Sequence, residues 1–263
     1  MIRRLFNGIL NRWSKASSLR HLTCYWPTML ITQKRLVTMR LHAHGTSLLM
    51  SFRRNTSDSA ILKEVLSSNV YESSKYHDAP CVLIDLGSHI GSFTNLFLST
   101  HPHSRAICIE PNPFSYSLLI QNLHANEILD RATCLSAAIV PHQDLVRNRF
   151  VRLDFPAGQT DVFEQFQVSP SGRWVTMGVS LRDISELHAE NIPLVLKMDI
   201  EGAELPLLDE LLDMLEKAQV FMLFMEFHGT QPQLLDWISR LEHIGFNCVR
   251  NGLILRAEKE LSR

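Results

Sequence analysis

Cys81-Val82-Leu83-Ile84-Asp85-Leu86-Gly87-Ser88-His89-Ile90-Gly91 decides how this chain folds. Cys81–Leu86 is a short apolar run bounded by Pro80 and Gly87, which reads as a buried strand. Ser92–Ser99 follows with helical character, so the stretch is a strand, a glycine turn and a helix. Outward from it the alternation continues. Ala106–Glu110 reads as the second strand, Phe114–Ala125 as the second helix and Ala132–Val140 as the third strand. Leu194–Ile200 and Val220–Phe227 are two further apolar runs. Between them Leu205, Leu208, Leu211, Leu212 and Leu215 mark a helix, with Pro206 tolerated in its first turn. Leu234–Ile244 is the last helix, and Phe246–Arg250 with Leu253–Arg256 form a hairpin on the type I′ signal Asn251-Gly252. Strands alternating with helices predict an α/β, doubly wound, mostly parallel sheet that closes on an antiparallel C-terminal hairpin. The stretch 141–180 breaks the rhythm; it reads as an insertion that contains a hairpin.

Ligands of such sheets bind outside the carboxyl ends of the strands, where strand order reverses. The glycines of the first turn are spaced G-x-x-x-G. A pyrophosphate loop needs G-x-G-x-x-G, and Ser88-His89-Ile90 fills the space where its middle glycine would be. This argues against NAD or FAD, leaving an NAD(P)-dependent oxidoreductase as an alternative only. Gly87 permits the tight turn and a close approach of a ligand to the backbone, and Gly91 lets the helix pack near the strand. Asp85 places a negative charge beside the loop, which repels phosphate and attracts an ammonium or sulfonium. Glu110 ends the second strand 23 residues after Gly87, where an acid accepts hydrogen bonds from both hydroxyls of a ribose. The constellation calls for a cationic nucleoside without phosphate, and S-adenosylmethionine has those features. The candidate cofactor residues are Asp85, Gly87, Ser88, His89, Gly91, Glu110, Pro111, Asn112, Ala138 and Asp199.

Composition adds limits. The 263 residues are 45% hydrophobic and 20% charged, enough for a full core and too apolar for a disordered chain. Five widely spaced cysteines with no C-x-x-C pair speak against a disulfide framework or a thiolate zinc site. The net charge of -1 hides an asymmetry: residues 1–57 hold ten Lys/Arg and no acid, and the remainder is strongly acidic. We therefore divide the chain into a basic N-terminal arm, 1–57, and a body, 58–263. In the arm Ile2, Leu5, Phe6, Ile9, Leu10 and Trp13 fall on one helical face, flanked by Arg3, Arg4 and Arg12. Such a helix suits packing on its own domain or on a second subunit of a homodimer, a membrane interface, or a mitochondrial transit peptide. Arg40–His44 and Ser47–Arg53 read as a hairpin around His44-Gly45-Thr46. No apolar stretch has the length of a membrane span, so the expected location is cytoplasmic with peripheral membrane contact through 1–20, mitochondrial being the alternative. No nucleic-acid partner is expected.

Three strings resemble the signature segments of the FkbM family of S-adenosylmethionine-dependent methyltransferases: VLIDLGSHIGSFT, ICIEPNPFSYSLLIQNLHAN and LVLKMDIEGAELPLL. The third is the most specific, through Lys197-Met198-Asp199-Ile200-Glu201-Gly202-Ala203-Glu204. Val179–Ile184 is similar to a further short segment of the family, with Arg182 in place of its usual acid, and His89 stands where the family more often has Asn. The resemblance, over roughly residues 40–230, implies a class I, Rossmann-like methyltransferase fold. It also implies methyl transfer to an oxygen, commonly a hydroxyl of a sugar or natural product; a glycolipid or lipid-linked acceptor fits the basic arm. A catalytically inactive scaffold of the same fold at a membrane is a further alternative.

The catalytic candidates lie at the ends of the fourth and fifth strands of this series: Asp199 and Glu201 on one, Glu226 and His228 on the other. Methylating an alcohol requires removal of its proton, which makes His228 the first candidate base and Asp199 the second. Glu201 would orient the acceptor or the cofactor's amino group. A rival reading gives Asp199, Glu226 and His228 to a divalent metal. Glu204 reads as a first-turn acid at a helix dipole and Lys197 as an ion-pair partner. The remaining histidines (His101, His103, His124, His142, His188 and His243) read as surface residues.

Overall fold

A computed structural model describes residues 36–67, 71, 80–146, 148–154, 167–187 and 192–260. The apolar helix expected over 2–13, and with it the whole of 1–20, lies outside the described residues.

In chain order the elements are β1 (Leu36–Ala43), β2 (Thr46–Arg53), α1 (Asp58–Ser67), β3 (Val82–Leu86), α2 (Ser92–Thr100), β4 (Arg105–Ile109) and α3 (Pro113–Ala125). There follow β5 (Ala132–Leu135), β6 (Ala137–Ile139), α4 (His142–Leu145), β7 (Phe150–Asp154), β8 (Gln167–Val168), β9 (Trp174–Val179) and α5 (Leu181–Leu187). The chain ends with β10 (Leu194–Met198), α6 (Leu208–Lys217), β11 (Val220–Glu226), α7 (Gln231–His243), β12 (Asn247–Asn251) and β13 (Ile254–Glu258). The central sheet runs β12-β13-β11-β10-β3-β4-β5. Strands β5, β4, β3, β10 and β11 are parallel, and β13 enters antiparallel between β11 and β12. Strand order reverses between β3 and β10, so the ends of these two strands flank the ligand position. This is the doubly wound, mostly parallel sheet that the alternation implied.

Both faces of the sheet are buried at its central strands β3, β10 and β11. Val82, Ile84 and Leu86 of β3 point to the face covered by α5, α6 and α7, where Leu211, Leu215, Trp237 and Leu241 are buried. Leu83 and the side chains of α1, α2 and α3 fill the other face, joined by Leu48 and Met50 of the β1–β2 hairpin. Each such side chain contributes about 1.5–3 kcal/mol relative to exposure, far more than any surface ion pair. The hairpin is tied down by polar contacts as well. Asn122 and Asn126 at the end of α3 accept from the backbone N–H groups of Ser51 and Leu49, at 2.7 and 2.8 Å.

Several expectations are corrected. The third strand is not continuous. After Ser136 the chain leaves the central sheet, and β6 pairs in parallel with β9 of the insertion. Both halves are apolar, so hydrophobicity alone does not mark the change of sheet. The insertion forms a second sheet, β6-β9-β7-β8. The last hairpin does not turn on Asn251-Gly252. Asn251 pairs with Ile254, so the loop is Gly252-Leu253, with positive φ at Gly252 alone. That is the type II′ pattern rather than I′. The His44-Gly45 loop, with both residues at positive φ, has the I′ pattern. His101 is not a surface residue: it is buried, its ring stacks on Phe97 at 4.2 Å, and its Nδ1 lies 2.8 Å from the Phe97 carbonyl.

Candidate functional site

A cavity of about 490 Å³ opens at the carboxyl ends of β3, β4, β10 and β11. Of the expected residues, Gly87, Ser88, His89, Glu110, Pro111, Asn112, Ala138, Asp199, Glu201, Glu226 and His228 line it. Asp85 and Gly91 do not.

The part around Glu110 is held largely by main chain. The loop after β3 hangs on β4, because the N–H groups of Gly87 and Ser88 both donate to the Ile109 carbonyl, at 2.9 and 3.0 Å. Gly87 has φ +78, and a Cβ there would sit 1.8 Å from the Asp199 carbonyl oxygen. Glycine is therefore required by the close approach of β10's end. Gly91, at φ +79, has Leu119 of α3 in the space a Cβ would take. Glu110 accepts from the N–H of His89 at 2.8 Å and from that of Asn112 at 2.7 Å. Burial pushes the Glu110 carboxyl up, against the pull of His89 and those two N–H groups. Asn112 caps α3 by accepting from Phe114 N at 2.9 Å, with Pro113 in the first turn. Ser88 spends its hydroxyl on the Asp85 carbonyl, 2.7 Å away.

Asp85 has a different job from the one its charge suggested. It is fully buried, with the Thr94 hydroxyl donating to it at 2.5 Å and Lys197 Nζ at 3.5 Å. Lys197 and Asp85 are register partners on β10 and β3. Lys197 also reaches Asp199 at 3.6 Å and donates to the Gly87 carbonyl at 3.1 Å. Burial alone would lower the Lys197 pKa; Asp85 and Asp199 hold it well above the usual lysine range. Asp85 thus anchors the lysine that fixes the loop, and its charge is already matched. The ion-pair expectation for Lys197 stands.

The part around His228 is built from ionised side chains. His228 Nδ1 donates to Glu204 Oε1 at 2.6 Å, and its own N–H donates to the same oxygen at 2.8 Å. Its Nε2 lies 3.5 Å from Glu226 and 3.7 Å from Glu201. The bond to Glu204, and then that to Glu226, push the His228 pKa up to about 10. An imidazole protonated at neutral pH has no lone pair for a substrate proton, which runs against the expectation of His228 as base. Glu204 is corrected too. It is not a helix-dipole acid but a buried anchor, accepting also from Gly202 N at 2.8 Å. Burial would raise its pKa, yet the bonds from His228 outweigh that and hold it below the carboxylate norm. Asp199 is pushed up by burial, pulled down by Lys197 and raised again by Glu226.

Sequence reading missed one wall: Ser57, Ile61, Glu64 and Val65 come to the cavity from α1 and the turn before it, and Tyr71 from the segment after it. Leu153 and Val168 line it from the insertion 141–180, a stretch the sequence marks out by its break in rhythm. A search confined to strand ends cannot find residues that approach from beyond them. Only the 3.6-residue spacing of Ile61 and Val65 offered a hint. Among the described residues no group of three or more His, Cys, Asp or Glu is arranged to hold a metal ion, and no helix is long and apolar enough to cross a membrane.

Residues 85–248 match the family model described as the methyltransferase FkbM domain. No curated protein matches the chain. Solved structures are similar to it only at low identity. Precorrin-6y C5,15-methyltransferase from Geobacter metallireducens is 14% identical, with 80% of this chain and 92% of that chain covered and a TM-score of 0.40. TYW2 of M. jannaschii in complex with AdoMet is 11% identical, with 86% and 87% covered and a TM-score of 0.40. TrmK of M. capricolum in complex with S-adenosyl-homocysteine is 10% identical, with 75% and 70% covered and a TM-score of 0.38.

Proposed function

The chain belongs to the FkbM methyltransferase family and uses S-adenosylmethionine, and on that premise we propose that it methylates a hydroxyl of a sugar, glycolipid or natural product. The residues suit that cofactor. Glu110 offers a carboxylate to two neighbouring hydroxyls, Ala137, Ala138 and Ile139 offer an apolar wall to a flat base, and among the described residues no arginine lines the cavity to hold a pyrophosphate. When bound, S-adenosylmethionine supplies a methyl carbon activated by a positively charged sulfur.

The protein's part is to place one acceptor oxygen and take its proton. We assign the proton to Asp199. Its carboxylate lies at the end of β10 in the same cavity as Glu110, and this shared cavity is the observation on which the reading rests. A carboxyl raised by burial is a stronger base than a solvated one, and Lys197 holds it in place at 3.6 Å. His228 remains a cation that keeps Glu201, Glu204 and Glu226 together. Glu226 and Glu201 are left to accept hydrogen bonds from the acceptor's other hydroxyls. Asp199→Asn tests this: S-adenosylhomocysteine should bind normally by calorimetry while labelled-methyl transfer into a cell extract is lost. Binding of NAD in place of S-adenosylhomocysteine would return the oxidoreductase alternative.

We further propose that the basic arm brings the enzyme to an anionic membrane surface, each Lys or Arg there contributing about 1 kcal/mol. A chain starting at residue 21 should lose the salt-sensitive liposome binding of the full chain. Equal partitioning of the two would leave the arm a packing helix.

A further inference from the structure

Arg53 and Asp58 lie upstream of the segment that matches the family, yet they are among the most deeply buried charged residues of the chain. Arg53 ends β2 and Asp58 begins α1. They form a forked pair: Arg53 Nε donates to Asp58 Oδ2 at 2.8 Å and Nη2 to Oδ1 at 2.7 Å. The backbone N–H of Arg53 adds a third bond to Oδ2 at 2.8 Å. The pair does not end on itself. Asp58 Oδ1 is 3.1 Å from His89 Nε2, and Arg53 Nη2 is 3.2 Å from the same nitrogen and donates to Ser115 Oγ of α3 at 3.0 Å.

His89 needs such support. It is the middle residue of the loop after β3 and has φ +52, a left-handed conformation that a side chain disfavours. Strained backbone of this kind persists only where its surroundings hold it. Here the ring donates from Nε2 to Asp58, which Arg53 fixes in turn, and the backbone N–H is spent on Glu110 on the other side. Hairpin, first helix, glycine loop and Glu110 therefore form one continuous hydrogen-bonded relay.

We propose that Arg53 and Asp58 are positioning residues for the cofactor: they lock His89 in its left-handed conformation and through it aim the Glu110 carboxylate. The hairpin upstream of the family-matched segment is then part of the binding machinery. This rests on the assignment of S-adenosylmethionine to the cavity.

A double-mutant cycle on the full chain tests it, read by calorimetry with S-adenosylhomocysteine and by thermal melting. The first arm replaces the buried pair by apolar residues, Arg53→Met with Asp58→Leu, an exchange buried pairs often tolerate. The second is His89→Gly, because glycine adopts positive φ without an anchor. The swap should weaken S-adenosylhomocysteine about tenfold when His89 is present and change little when residue 89 is glycine, since coupled sites are non-additive. Equal weakening in both backgrounds, or no weakening by a folded swap, overturns the relay. Should the swap not fold, Asp58→Asn replaces it in the same cycle. In the unaltered protein the NMR signals of the His89 ring must also move when S-adenosylhomocysteine is added; a ring that does not respond overturns the proposal by itself. Failure of the unaltered protein to bind at all would instead overturn the cofactor assignment.

Discussion

Around Glu110 the cavity is shaped by backbone hydrogen bonds and small residues, whereas around His228 it is shaped by charged side chains that hold one another. The first half depends on where the main chain runs. Its loop is set by N–H groups on the Ile109 carbonyl and by the contact of Gly87 with β10. The second half depends on charge states, with His228 shared among Glu201, Glu204 and Glu226. The two halves should therefore fail in different ways. Steric change at Gly87 should break the first half, whereas charge change at His228 should loosen the second and leave the backbone of the loop near Glu110 in place.

The largest effect is expected from Gly87→Val. Its side chain would overlap the Asp199 carbonyl, 1.8 Å from the Cβ position. Relieving that overlap separates β3 from β10, so a loss of about 3 kcal/mol or more is expected together with loss of S-adenosylhomocysteine binding. A variant that melts and binds like the unaltered protein would erase the distinction between the halves. Next comes Asp199→Asn, which should lower kcat by about 10²–10⁴ and leave cofactor affinity unchanged. A comparable loss of affinity would move Asp199 out of the catalytic role. Glu110→Gln should do the opposite, weakening S-adenosylhomocysteine at least about tenfold, as one charge-assisted bond contributes about 1.5–3 kcal/mol.

A smaller effect tests the charged half by pH. The folded pKa of His228, about 10, lies above its ordinary 6.5. Its contribution to stability is therefore fully present below about pH 6.5, declines as pH rises, and is gone once pH passes the folded value. Denaturant midpoints should fall between these limits, and His228→Gln should flatten that slope. A slope that survives the substitution would assign it to another group. The smallest change is expected far from either half. Arg182 and Glu186 form an exposed pair at 3.6 Å, and Arg182→Ala should shift stability by less than about 0.5 kcal/mol, within the scatter of melting measurements.

Legibility followed the same division. Gly87, Glu110 and Asn112 could be found from spacing, because a strand, a tight turn and a helix impose fixed offsets along the chain. Asp85 was found for the wrong reason: its charge was visible, but not that Lys197 stands beside it in register. The wall made by Ile61, Glu64 and Val65 stands at no fixed offset from a strand end, since α1 reaches the cavity by packing on α2 and on the β1–β2 hairpin. The break of the third strand at Ser136 was hidden because β5 and β6 are both apolar and differ only in which strand they pair with.

From residue order alone follow the strand–helix alternation, the glycine turn, the acid 23 residues beyond it and the family-like segment from Lys197 to Glu204. These are local patterns, set by backbone sterics and by side-chain periodicity over a few residues. Three-dimensional packing was needed for the charge on His228, for the anchoring of His89 by Arg53 and Asp58, and for the identity of the cavity's far wall. Each of these depends on groups from 24 to more than 100 residues apart in the chain meeting at a few ångströms, as Glu204 meets His228 and Lys197 meets Gly87. Electrostatic and hydrogen-bond energies fall off with distance in space, and distance along the chain does not report it.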